Sequence, residues 1–308
     1  IMDKLISFSV PLMLSGILQL MFNAVDIIVV GRFAGSQSLA AVGSTTALIN
    51  MFVNLFIGVS LGANVLAARF YASGKHKEMS ETVHTAITFA AISGVVMALI
   101  GVLMAKPALE LMGTPDDVIN LSTLYMRIYF LGMPFFMLYN YGAAVLRAVG
   151  DTKRPLMFLM AAGIINACLN MVLVIVFNLG VAGVAIATIF SQFISCVLVL
   201  RCLNKTDASY QLRFSKLKIK GYYLKQIFQV GIPAGIQSTV INFSNALLQS
   251  SVNSFGSTAM AGYTAANNIL GFLYASINSV TQACMSFTSQ NYGVRKFKRM
   301  DKVLIDCA

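Results

Sequence analysis

Charged residues are scarce in this sequence. They make up only 11% of the 308 residues, whereas hydrophobic residues make up 57%. A soluble domain carries about 25% charged residues, so this chain lacks the polar groups needed to cover a water-facing surface. Lipid solvates apolar faces instead, and we therefore expect an integral membrane protein.

The common catalytic and metal-binding motifs are also missing. The sequence contains no HExxH, no GxSxG and no nucleotide-binding phosphate loop, so we expect neither an enzyme nor an ATP-driven pump, and no cofactor. Its five cysteines show no CxxC pair and no metal-ligand spacing, which disfavours a disulfide framework or a structural metal.

Long apolar runs dominate what is present. Eight of them are long enough to cross about 30 Å of hydrocarbon at about 1.5 Å per residue. They predict an all-α protein with spans at Leu5–Val30, Leu39–Ala68, Thr82–Met104, Ile119–Leu146, Pro155–Phe177, Val181–Leu200, Leu224–Asn253 and Thr258–Ser289.

The net charge of +11 would suggest a nucleic-acid partner in a soluble protein. Here the 22 basic residues lie in loops that alternate with the runs, and all but Arg32, Lys106 and Arg127 fall on one side of the predicted bundle. Basic loops are retained in the cytoplasm, so we expect a multi-pass protein of the plasma or inner membrane with a cytoplasmic N-terminus and no nucleic-acid partner. The polar segment 204–223 is interpreted as a linker on the anionic inner leaflet, with a regulatory or nucleic-acid role as the alternative.

An internal repeat relates the start of the chain to its last part. Pro11 matches Pro233, Gly35 matches Gly256, and the loop from Tyr71 resembles the loop from Tyr292. Six predicted spans separate the copies, so the repeats are parallel. This predicts an N-lobe of spans one to six (1–203), the linker (204–223) and a partial C-lobe of spans seven and eight (224–308). We expect a complete protein to contain twelve spans in two six-helix lobes.

Asp26 is the only carboxylate deep inside a predicted span. Such a residue usually faces a cavity, because a charge in lipid is expensive. Ser15, Gln19 and Asn23 precede it at helical spacing and form a polar stripe on one face. The alternative is a neutral Asp that ties helices together by hydrogen bonds.

Further polar residues recur at helical spacing in other spans. Asn166 and Asn170 lie one turn apart in span five, and Asn140 lies in span four; spans seven and eight carry Ser238, Asn242, Asn245, Gln249, Asn267, Tyr274, Asn278 and Gln282. Each alone is typical of contacts between helices, and together they indicate wet surfaces on several helices. The GxxxG at Gly58–Gly62 is a weak signal in a glycine-rich chain.

Four segments resemble the multidrug and toxic compound extrusion (MATE) family, and the similarity runs over the whole chain. They are 10–33, Leu146–Pro155, Gly180–Thr188 and Ser289–Gly293. The resemblance implies two six-helix lobes around a central cavity and cation-coupled efflux of organic, often cationic, compounds.

The resemblance also implies roles for single residues. Asp26 corresponds to the family's first-helix aspartate and Pro11 to its hinge proline. An N-lobe cation site would take polar partners from Asn140, Asn166 and Thr188. Asn170 stands where one branch of the family often has a second aspartate, which leaves the coupling ion open between H⁺ and Na⁺.

We therefore predict a secondary antiporter that exports amphipathic small molecules by alternating access and works as a monomer in the bilayer. Its cation and substrate site comprises Gln19, Asn23, Asp26, Asn140, Asn166, Asn170 and Thr188, with Pro11 as the hinge. One alternative is a lipid-linked precursor flippase of the same superfamily, which needs several cationic side chains where this chain offers only Arg127. A multi-span receptor is a third interpretation, and the parallel repeat disfavours it.

Overall fold

The computed structural model describes residues 2–253 and 257–307, and the side chains of Asn242, Gln249 and Asn267 lie outside the described part. Within those residues the chain is almost entirely helical. The ten α-helices are α1 (Met2–Val29), α2 (Ser36–Ala72), α3 (His76–Leu111), α4 (Ile119–Leu131), α5 (Met133–Ala148), α6 (Lys153–Asn170), α7 (Gly180–Lys205), α8 (Gly221–Asn253), α9 (Ser257–Gly293) and α10 (Phe297–Cys307).

Each of the eight predicted spans coincides with one long helix or with two consecutive helical segments, as the apolar runs require. Within the described residues, five helices are long and apolar enough to cross a membrane, and a sixth span results if α4 and α5 count together. The structure thus confirms an all-helical protein with several membrane-spanning candidates. Eight spans, twelve spans and a truncated second lobe stay predictions.

Three local departures from regular α-helix were not predicted. The fourth span bends by 45° between α4 and α5. Gly132 lies at this break and Pro134 follows it, and proline removes a backbone donor from the helix. Turns of π-helix extend α1 over Val30–Ala34 and α6 over Met171–Val176.

Glycines bring α2 and α8 into direct backbone contact. A Cβ atom added to Gly58 would lie 2.2 Å from the Cα atom of Gly235, and one added to Gly62 would lie 2.1 Å from the Ile227 carbonyl oxygen. On α8, a Cβ atom at Gly231 would lie 2.6 Å from the Cα atom of Val59. The GxxxG motif therefore packs against a second small-residue pair one turn apart, as in closely crossing membrane helices.

The basic loops gather at one end of the bundle, which we call the basic end. It carries the start of α1, the α2–α3 and α5–α6 turns, the segment 204–223 and the α9–α10 turn. The predicted linker is docked there against α3. The Arg213 N–H donates to His84 Nε2 at 3.1 Å, the Lys220 N–H donates to Thr85 Oγ1 at 3.3 Å, and the Lys220 ammonium pairs with Glu81.

The last two long helices pack on the first two rather than mainly on each other: α8 lies along α2, and α9 lies along α1 and α2. The short amphipathic helix α10 follows and packs on α9. The division into lobes at 203 and 224 stays a prediction.

Candidate functional site

A cavity of about 330 Å³ lies among α1, α2, α4, α5, α6 and α7. It lies in the half of the bundle opposite the basic end, since Asp26 is three residues from the end of α1 and Thr188 is nearer the start of α7 than its end. Six of the seven predicted site residues line it: Gln19, Asn23, Asp26, Asn140, Asn166 and Thr188. The seventh, Asn170, is fully buried behind them.

Asp26 and the two asparagines of α6 form one hydrogen-bonded group. The Asn170 Nδ2 group donates to Asp26 Oδ1 and, at 3.2 Å, to Asn166 Oδ1. The buried Asn170 Oδ1 accepts no hydrogen bond within the described part of the chain. An unpartnered buried acceptor beside a carboxylate favours a cation or a proton donor as the missing partner.

Asn140 and Thr188 each donate a hydrogen bond to a backbone carbonyl of their own helix, and their side-chain oxygen atoms can still accept one. Asn140 Nδ2 donates to the Phe136 carbonyl at 2.8 Å, and Thr188 Oγ1 donates to the Val184 carbonyl at 2.9 Å. Hard cations such as Na⁺ are bound by oxygen ligands of this kind. The residues thus fit a cation site, and that role stays a prediction.

The stripe on α1 is only partly directed at the cavity. Gln19, Asn23 and Asp26 line it. Ser15 instead donates to the Pro11 carbonyl at 2.8 Å, which is a bond within its own helix. Pro11 is buried inside α1, which is helical from Met2 to Val29, so its role as a hinge stays a prediction.

Sequence reasoning missed several residues that complete the cavity wall. Asn50 and Asn54 on α2, Tyr125 and Tyr129 on α4, and Gln192 on α7 all line it. Asn50 with Asn54 and Tyr125 with Tyr129 show the one-turn spacing that marked the α6 pair. The one-turn spacing could have identified these residues, but it does not distinguish a helix face that lines a cavity from one that packs against another helix.

The residues that line the cavity carry little charge. Among the described residues that line the cavity, Asp26 is the only charged one, and five aromatic rings share the wall with it: Phe22, Tyr125, Tyr129, Phe136 and Tyr139. In the described residues no three His, Cys, Asp or Glu side chains come together as a metal site. One carboxylate among aromatic rings can hold one monovalent cation or one organic cation.

Comparison with known families identifies the fold. The MatE family model matches residues 11–172 and 233–307, which is most of the chain. The chain belongs to the MatE family. This confirms the family resemblance seen in the four sequence segments.

Two curated relatives and one solved structure show how far the similarity of this MatE chain extends. It is 33% identical over 306 residues to the probable multidrug resistance protein YoeA of Bacillus subtilis (strain 168), covering 96% of the chain and 66% of YoeA. It is 24% identical over 312 residues to an FAD transporter of Shewanella oneidensis, covering 98% of the chain and 67% of that protein.

The solved structure is an outward-facing conformation of a multidrug resistance MATE family transporter of the MOP superfamily. It superposes with a TM-score of 0.93 at 22% identity and covers 99% of the chain and 68% of that structure. At this identity the match shows the fold alone. The MatE chain spans 66% of the length of YoeA, just under two thirds. That it is the first part of a twelve-span protein stays a prediction.

Proposed function

We propose that this MatE chain serves a secondary antiporter that exports amphipathic cationic small molecules in exchange for H⁺ or Na⁺. The observation that carries the proposal is Asp26, the single carboxylate in a cavity whose other described lining residues are uncharged. Coupled exchange needs a group that both the ion and the substrate require, so that one leaves when the other binds. The name of YoeA, a probable multidrug resistance protein, supports the same substrate class.

The cavity disfavours anionic substrates. A lipid-linked pyrophosphate or a dinucleotide such as FAD needs cationic partners, and the lining residues that the structure describes include no Lys or Arg. Arg127, the one cationic candidate from the sequence, donates from its Nε to the Val102 carbonyl at 3.2 Å and does not line the cavity. The flippase alternative therefore has no support in the geometry.

In the proposed cycle Asp26 takes the cation while the cavity is open to the outside. The cation neutralises the carboxylate, α1 changes its bend around Pro11, and the cationic substrate loses its counter-charge and leaves. The lobes then rock so that the site faces the cytoplasm, as in other transporters built from repeats. The ion dissociates there, and Asp26 is ready for the next substrate.

Substrate charge tests this proposal directly. We expect vesicles containing the full-length gene product to move methyltriphenylphosphonium, driven by an inward H⁺ or Na⁺ gradient, at least tenfold faster than protein-free vesicles. The neutral analogue triphenylphosphine oxide should show no gradient-dependent flux, because it cannot compete with the ion for Asp26. Equal gradient-driven flux of both compounds would contradict a site that works by charge.

We also propose that the basic end is cytoplasmic, in a cell membrane and in a monomeric protein. Single cysteines at positions 75, 153 and 218, in a cysteine-free background, should react with a membrane-impermeant maleimide only after the cells are opened. Asp116→Cys, in the turn between α3 and α4, serves as the control and should react in intact cells. Labelling of the first three positions in intact cells would reverse the orientation.

A further inference from the structure

A row of polar residues joins α9 to the first six spans near the basic end. Gln282, Ser286 and Gln290 lie at steps of four on one face of α9, and each makes a hydrogen bond to an earlier helix. Residues four apart lie on the same helix face, so the three bonds form a single line. We call this line, with Asn64 and Arg147 opposite it, the polar seam.

The bonds of the seam have good geometry. Arg147 Nη1 donates to Gln282 Oε1 at 3.1 Å, Ser286 Oγ donates to Asn64 Oδ1 at 3.0 Å, and Gln290 Nε2 donates to the Ala148 carbonyl at 2.7 Å. Asn64 is itself fixed, because its Nδ2 donates to the Ala144 carbonyl at 2.8 Å.

Aromatic and backbone contacts extend the seam towards the end of α9. The Arg69 guanidinium lies 5.0 Å from the centre of the Tyr292 ring, a cation–π distance. A Cβ atom on Gly293 would lie 2.3 Å from the Arg69 carbonyl oxygen. Phe8 of α1 packs edge-on against Phe287, with ring centres 5.4 Å apart.

The space beside the Arg147–Gln282 bond is narrow. The space among α1, α2, α5 and α9 at Arg147 and Gln282 is about 10 Å³, which is at the lower limit for a single water molecule. Earlier in α9, by contrast, Leu273, Tyr274 and Ile277 are exposed. The three polar bonds of α9 thus lie towards the basic end, and the Asp26 cavity lies in the opposite half of the bundle.

Arg147 is an unusual component of a permanent contact. It is mostly buried, and the ion pairs in the described residues belong to Lys106, Arg154 and Lys220 rather than to Arg147. Its Nε is buried and without a partner in the same part of the chain. A buried cation without a counter-charge is costly, so it opposes closure, while its bond to the neutral Gln282 favours closure. Because the two effects oppose each other, the contact between Arg147 and Gln282 can form and break reversibly.

We propose that Arg147 and Gln282 form a reversible latch that closes the basic end of the transporter while the Asp26 cavity is open. Both are positioning residues for transport, and this role rests on the proposed alternating-access function. The neutrality of Gln282 is the essential feature. A carboxylate there would give Arg147 its missing counter-charge and keep the basic end closed.

Accessibility of Ser60 measures the latch without any transport. Ser60 is buried beside Arg147 and Gln282, and Ser60→Cys changes its size little. In a cysteine-free variant of the full-length protein, maleimide labelling of Ser60→Cys in detergent reports opening of the seam from either side. We expect Gln282→Glu to slow this labelling about tenfold, or about 1.4 kcal/mol in favour of the closed seam.

Arg147→Gln removes the guanidinium and so shows whether the effect of Gln282→Glu depends on Arg147. Alone, it should raise the labelling rate, because the bond to Gln282 is weakened. Combined with Gln282→Glu it should bring the rate back to within about twofold of the unlatched Arg147→Gln variant, because the carboxylate then has no guanidinium to bind. If Gln282→Glu slows labelling equally with and without Arg147, the latch does not depend on this pair.

Gln282→Leu keeps the proposal testable if the carboxylate variant does not fold, which a melting curve in detergent reveals. Leucine removes the acceptor without adding charge, and labelling of position 60 should become faster. An unchanged or slower rate would overturn the latch. Labelling needs no substrate, so the two proposals can fail separately. A protein that latches as described but moves no cation would refute the proposed function and leave the latch standing.

Discussion

Replacing Asp26 by asparagine should abolish gradient-driven efflux while leaving the protein folded. Asn keeps the size of the side chain and its ability to bond to Asn170 Nδ2, but it cannot exchange one cation for another. If Asp26 only joined α1 to α6, Asn would serve almost as well, since hydrogen bonds between membrane helices average about 0.6 kcal/mol. The measurement is the efflux rate under an imposed pH or sodium gradient, with a melting curve in detergent.

Two further variants make the Asp26 result specific. Asp26→Glu keeps the charge and should retain part of the efflux. Glu110→Gln makes the same chemical change at an exposed carboxylate of α3 that does not line the cavity, and should leave efflux unchanged. Wild-type efflux in Asp26→Asn would mean that Asp26 holds helices together and that the coupling group lies elsewhere.

A single methyl group added where α2 crosses α8 should lower the stability of the protein. Gly58→Ala places a Cβ atom 2.2 Å from the Cα atom of Gly235, and two helix backbones cannot yield as a side-chain tip can. Overpacking of this kind costs about 1–3 kcal/mol and sometimes more. We expect a clearly lower melting temperature in detergent, and a larger fall when Gly62→Ala is added.

Gly43→Ala is the matched control for Gly58, because it makes the same change on the same helix. A Cβ atom at Gly43 meets nothing within 4 Å, and alanine in place of a helical glycine stabilises by about 0.4–1 kcal/mol. Gly43→Ala should therefore melt at the wild-type temperature or above it. Equal melting temperatures for the two variants would show that α2 and α8 do not cross at these glycines.

The sequence predicted the helices and six of the residues that line the cavity for physical reasons. Apolar runs as long as 39–68 and 82–104 have few alternatives to a helix in lipid, and they lie inside α2 and α3, which extend beyond them at both ends. Asp26 stood out because a carboxylate in a span needs an explanation. Asn166 and Asn170 followed from one-turn spacing, and in the structure Asn170 bonds to both Asp26 and Asn166.

What the sequence could not predict depends on which helices meet. The GxxxG at Gly58–Gly62 became informative only when Gly231 and Gly235 appeared opposite it. Ser15 shared the spacing of its stripe but bonds within its own helix. The pairing of Arg147 with Gln282 joins residues 135 positions apart, and no local pattern encodes such a contact.

In the proposed mechanism, one cation and one cationic substrate compete for Asp26. Counting the ions released when substrate binds tests it most directly. Addition of methyltriphenylphosphonium to the detergent-purified full-length protein, weakly buffered and loaded with H⁺ or Na⁺, should release one of those ions per substrate bound. Asp26→Asn should release none. Binding without ion release in the wild type, or undiminished release in Asp26→Asn, would contradict the account.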